Sequence, residues 1–161
     1  MALRRFAARV MAGGSIASML SIIVAGVLAR RRTGSLASAP NATSHWIWGE
    51  RAGRRHQVTL RHTALGYAIH HASSMWWACF HEAGLDRTRV PAWVLAPAMG
   101  AVALVVDYTV VPRRLTPGFD RHLSRTALVS VYVAFSAGLL LGSRLTRGLR
   151  PVHRRAVRAA R

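Results

Sequence analysis

The chain has 161 residues and a net charge of +18, with 52% hydrophobic residues, only 17% charged residues and a mean hydropathy of +0.21. A soluble domain of this size usually carries about 25% charge, so an ordinary soluble enzyme is a poor match, and so many aliphatic residues exclude a simple disordered basic tail. Charged and apolar residues are segregated along the chain, the pattern of a multi-spanning membrane protein.

All 23 basic residues are arginine, and with heavy alanine use this points to a high-GC, bacterial genome and to the inner membrane. A bilayer core about 30 Å thick needs roughly 20 mostly apolar helical residues. The first such run, 10–29, is uncharged and lies between Arg9 and the Arg30–Arg32 triplet. Gly14, Ser18, Ser21 and Ala25 form a small-residue stripe along it. A basic start followed by an apolar run and SLASAP has the layout of a cleaved signal, and an acid-free, arginine-bearing start also fits a mitochondrial transit peptide. Twenty apolar residues closed by three arginines instead favour an uncleaved span.

The loop 30–61 contains NATSHWIWGE, with His45, Trp46, Trp48 and Glu50. Its tryptophans read as anchors at headgroup level. Asn41-Ala42-Thr43 fits a glycosylation sequon, a pattern common by chance.

A second span is expected at 63–80, closed by His81 and Glu82. A 100° helical step lines up Gly66, His70, Ser73, Ser74, Trp77 and His81, with Tyr67 and His71 on an adjoining stripe. Cys79 is the only cysteine, so no intrachain disulfide or cysteine-based zinc site exists. A third span, 90–111, carries one acid, Asp107, and ends at Pro112. Ionisable groups inside spans are costly and mark candidate sites. An antiparallel hairpin of the second and third spans sets residue 107 opposite residue 67, with His70 and His71 about one turn deeper. Asp107 is thus expected to accept from Tyr67 or from either histidine.

The loop 112–125 reads PRRLTPGFDRHLSR, with a Pro117-Gly118 turn and Ser124 or Thr126 as the next helix cap. Arg113 and Arg114 can snorkel back towards Asp107. The fourth span, 126–143, carries Ser130, Ala134, Gly138 and Gly142 at every fourth position, a face that lets helix backbones approach. The tail 144–161 holds seven arginines and no aromatic residue. Lipid headgroup contact fits it better than nucleic acid. With four spans, twelve arginines fall on one side and eleven on the other, so the positive-inside rule barely orients the chain.

The expected fold is therefore all-α: a four-helix transmembrane bundle, one membrane domain over 1–161, with short loops and arginine-rich termini. Its partners are the bilayer, anionic lipid headgroups, and further copies or a larger membrane complex. The candidate site is an intramembrane polar cluster of Tyr67, His70, His71, Asp107 and Tyr108, below a vestibule of His45, Trp46, Arg113 and Arg114. No cofactor or metal is expected: adjacent histidines point about 100° apart and cannot readily share an ion. Two uses of the cluster stay open. It ties helices together in a non-enzymatic structural or partner-assisting protein, or it moves protons in a small transporter built as a dual-topology dimer. The second use resembles the small multidrug transporters, also four-span, although their glutamate in the first helix has no counterpart in 10–29.

Overall fold

The computed structural model describes residues 2–148, and among them it is all-helical with no strand. The basic tail from 149 onward lies outside the described residues. Four long helices dominate: α1 (Ala2–Thr33), α4 (Leu65–Arg87), α5 (Ala92–Val105) and α6 (Arg125–Gly148). Two short helices, α2 (Ser38–Thr43) and α3 (His45–Trp48), lie between α1 and α4.

Local chemistry sets the ends. α1 stops at Gly34, whose φ of 77° few other residues tolerate and whose N–H donates to Arg30 O at 2.8 Å. Arg30, Arg31 and Arg32 sit in its last turn, where the helix dipole favours cations. A π turn, Leu60–Ala64, leads into α4, and the Thr59 side chain caps it by accepting from the His62 N–H. α5 begins after Pro91 and leaves through a second π turn, Val106–Val110, ahead of Pro112.

Three helices are long and apolar enough to cross a membrane: Ala2–Thr33, Ala92–Val110 and Arg125–Arg147. The expected second span is helical, but α4 is not one of these three. His70, His71, Ser73, Ser74, His81 and Glu82 dilute its apolarity.

α1 is the central element. It runs antiparallel to α6, and the contact depends on glycine: a Cβ at Gly138 would lie 2.3 Å from Ala17 Cα, and one at Gly142 2.4 Å from Gly13 Cα. On its other side α1 runs antiparallel to α4, with Arg9 beside Glu82 at one end and Ser21 beside His70 at the other. α5 packs on α6 around Gly100, where a Cβ would sit 2.0 Å from Ser136 Oγ. α4 and α6 scarcely touch. α4 and α5 therefore flank the α1–α6 pair and leave a space between them.

The α1 stripe is buried in full, whereas of the α6 stripe only Gly138 and Gly142 are buried and Ser130 is exposed. The region 30–61 is no simple loop. Residues 37–45 are all buried, and α2 lies on α4 so closely that a Cβ at Gly66 would meet Pro40 O. Asn41 pins this plug: its amide donates to Arg55 O at 3.0 Å and Gln57 O at 2.9 Å, and its carbonyl accepts from Thr63 Oγ1 at 2.7 Å. Fully buried, that asparagine is not available as a glycan acceptor.

Candidate functional site

The two adjacent histidines of α4 both turn to α1. His71 Nδ1 lies 2.9 Å from Ser18 Oγ, and His70 Nε2 lies 3.0 Å from Ser21 Oγ. Ser21 Oγ also lies 2.7 Å from Ala17 O, so its one hydroxyl proton has both that carbonyl and the imidazole in reach. Tyr67 joins the same group, its oxygen 3.3 Å from Ser18 Oγ. The small polar residues of α1 thus serve two purposes: they let the helices approach, and they give the histidines partners.

Asp107 is placed differently from the sequence expectation. Its carboxylate accepts from Tyr132 Oη on α6 at 2.6 Å, not from Tyr67 or a histidine. The sequence reading paired α5 with α4, but the close neighbour of α5 is α6. Asp107 and His70 nonetheless face one common space, a cavity of about 390 Å³ between α4 and α5. Ser21, Ser74, Tyr132 and Phe119 also line it, with Trp46 among the residues nearest the loops. The walls are mostly apolar, and the acid and the imidazole are its main titratable groups.

The expected vestibule does not form a single chamber. Trp46 lines the inner cavity and donates its indole N–H to Thr116 O at 2.8 Å, tying the plug to the 112–118 turn. Arg113 and Tyr108 instead line a separate outer bowl of about 800 Å³ at the loop end of the helices. His45 lines neither space. It is buried, with Nδ1 2.7 Å from Ala42 O and Nε2 3.3 Å from Arg113 O, so it bridges the plug and the opposite loop. Arg114 is exposed and lines neither.

Outside the helices' apolar stretches, Arg121 grips Glu50 through both terminal nitrogens and holds that carboxyl below its usual range. His122 Nε2 lies 3.0 Å from Gly53 O, and burial keeps its imidazole below the ordinary histidine value.

An ionic cluster at the far end of the helices was not read from the sequence. Glu82 is fully buried on α4 and accepts from Arg9 Nε of α1 at 2.9 Å and from Arg147 Nη2 of α6 at 2.6 Å. Asp86 pairs with the same two arginines. One carboxylate pair thereby fastens three helices. His81 beside it is buried, and its Nδ1 is 3.6 Å from Glu82 Oε1, too far for a hydrogen bond. The signal available was the i, i+4 pair Glu82 and Asp86 in a chain with only five acids.

Among the described residues, no three His, Cys, Asp or Glu side chains come together as a metal-holding group. No protein-family model, curated protein or solved structure matches the chain. What defines the class of protein is therefore its all-helical architecture with three membrane-length apolar helices, together with polar side chains bonded from helix to helix.

Proposed function

We propose that this is a small multi-pass integral membrane protein, resident in a bacterial inner membrane, whose four long helices form a transmembrane bundle with a structural or partner-assisting role and no catalysis of its own. One observation carries this reading: the two histidines and the one acid expected within the spans end on side chains of other helices, His70 on Ser21, His71 on Ser18 and Asp107 on Tyr132. An acid at the centre of a span costs about 2.5–3.5 kcal/mol, and interhelical hydrogen bonds worth about 0.6–2 kcal/mol each offset part of that. α4 enters the bilayer despite its polar residues because His70 and His71 bond to α1 while Ser73 and Ser74 bond back to carbonyls of their own helix. α5 leaves most of its apolar surface uncovered, the surface it offers to lipid, a second copy or a partner subunit.

Thermal unfolding in detergent tests the reading. His70→Ala and Asp107→Asn lower the melting temperature, and no small molecule restores it. A compound that raises wild-type stability and loses that effect in both variants would mark a ligand site instead. Co-purification in mild detergent, followed by mass spectrometry and an absorption spectrum, identifies bound subunits or a chromophore in the same preparation.

A second reading rests on the shared cavity. His70 and Asp107 facing one cavity between helices is what a proton-coupled transporter uses, and the near balance of arginines between the two sides fits insertion in both orientations. Reporter fusions at the C-terminus that are active on only one side of the membrane separate the two. Comparable signals from both reporters, with proton-linked uptake lost in Asp107→Asn, would favour the transporter.

A further inference from the structure

The outer bowl is lined by Arg32 at the end of α1, Arg54 in the 52–54 turn, Arg113 after α5, and Arg121 and His122 before α6, with Tyr108 at its inner edge. Four chain segments therefore bring guanidinium groups to one concavity. Glu50 and Asp120 are the acids in the lining, and Glu50 is fully engaged by Arg121. Arg32, Arg54 and Arg113 enter no ion pair among the described residues. Four arginines against two acids, of which Asp120 likewise enters no ion pair among the described residues, leave a surplus of positive charge held together by the fold.

Two buried atoms add a second, independent observation. Tyr108 Oη and Arg121 Nε are both buried without a hydrogen-bond partner, and both side chains line this bowl. Each can donate a proton. Each therefore carries a donor that no protein acceptor among the described residues satisfies.

We infer that this bowl binds a phosphate group, on a lipid headgroup or as a free phosphate ester. Arginine forks and a phenol converging from several directions match the tetrahedral oxygens of phosphate, and arginine binds such oxygens in bidentate fashion. A carboxylate offers two oxygens in one plane and would leave most of these donors unused. The volume of about 800 Å³ leaves room for a substituent on the phosphate. His122 and His56, whose rings meet edge to face at 5.4 Å, close one side of the bowl. The inference depends on the membrane reading only for the source of the phosphate: at the loop ends of α1 and α5 the bowl sits where headgroups lie.

The test uses the purified full chain in an uncharged detergent, with thermal unfolding as readout. Sodium phosphate is compared with sodium chloride at equal ionic strength, and short-chain phosphatidic acid with diacylglycerol. Phosphatidic acid raises the melting temperature and diacylglycerol does not. A rise with phosphatidic acid alone assigns the headgroup, and a rise with inorganic phosphate assigns a site that needs no lipid; either supports the bowl. Arg54→Gln and Arg113→Gln, both at exposed positions, each weaken binding about tenfold, the loss of a charge-assisted hydrogen bond. Tyr108→Phe keeps or raises the melting temperature of the unliganded protein while shrinking the shift caused by the probe. The Arg4→Gln, Arg5→Gln pair at the opposite end removes the same charge and leaves the shift intact. The inference is overturned if neither probe stabilises the protein, or if the Arg4, Arg5 pair abolishes the shift as fully as the Arg54, Arg113 pair. Carbonate extraction reads the membrane assignment separately, and the inorganic phosphate arm reads the bowl whatever that extraction shows.

Discussion

The hydroxyl of Tyr132 on α6 donates at 2.6 Å to the Asp107 carboxylate in the π turn that ends α5, at the edge of the cavity that α4 and α5 leave between them. It is the one side-chain hydrogen bond linking these two helices among the described residues, and it gives an otherwise costly acid a partner. Tyr132→Phe therefore costs about 1–3 kcal/mol, the penalty of an unsatisfied buried polar group. Asp107→Asn costs less, because an amide oxygen still accepts from the phenol. Reversible unfolding in detergent measures both. Equal loss in the two variants would mean that the charge of Asp107, not its bond to Tyr132, holds α5.

Glu82 and Asp86 separate buried from exposed pairing on one helix. Glu82 is fully buried between Arg9 and Arg147, and Glu82→Gln costs about 1–3 kcal/mol, less than an unpaired buried charge because Asp86 still pairs with both arginines. The Asp86 side chain is 40% exposed, and Asp86→Asn costs less than about 1 kcal/mol. The two melting curves, compared at low and high salt, check the ordering; only the Asp86 contribution fades with added salt.

The α1–α6 contact has no room for a side chain at two positions. Gly138→Val forces backbones apart and costs more than about 1–3 kcal/mol, the usual range for an overpacked core. Ser130→Val, two turns away on the same stripe but exposed, stays within about 0.5 kcal/mol of wild type. Parallel denaturation of the two variants measures the difference.

These contrasts also mark how much the sequence could say. α1, α5 and α6 were legible because a long uncharged run has few other outcomes than a helix. The bounds shifted: α1 extends back to Ala2 because arginine and alanine are good helix formers, and no charge count marks where a helix stops. The polar residues of 63–80 were rightly read as one face of a helix, but the partner of that face was not readable. His70 and His71 meet serines of α1 that stand out in the sequence only as small residues. A hairpin between consecutive helices puts Asp107 opposite α4, whereas in the fold α6 lies closer. The 37–45 plug left no trace in the sequence, since SAPNAT has no apolar period and its burial comes from Asn41 bonding distant carbonyls. Arg9, Asp86 and Arg147 look like ordinary flanking charges until the fold brings three helix ends together.

His122 supplies a pH dependence. Burial lowers its imidazole below the ordinary value of about 6.5, with His56, Arg121 and Arg32 adding to the shift and the Gly53 carbonyl opposing it. The unfolded chain therefore binds the proton more readily. Its contribution is present in full above about pH 6.5 and is lost as pH falls through that value to the lower folded one, at up to about 1.4 kcal/mol per pH unit. His62, shifted in the same direction by burial, Arg55 and Arg61, adds the same sign. Melting temperature against pH shows the fall, and His122→Gln makes it shallower.

The central claim, that this chain lives within a bilayer, is tested most directly by alkaline carbonate extraction of membranes containing the full chain, without detergent. The protein stays in the sedimented membranes and moves to the supernatant only when detergent is added. Release by carbonate alone would contradict the account.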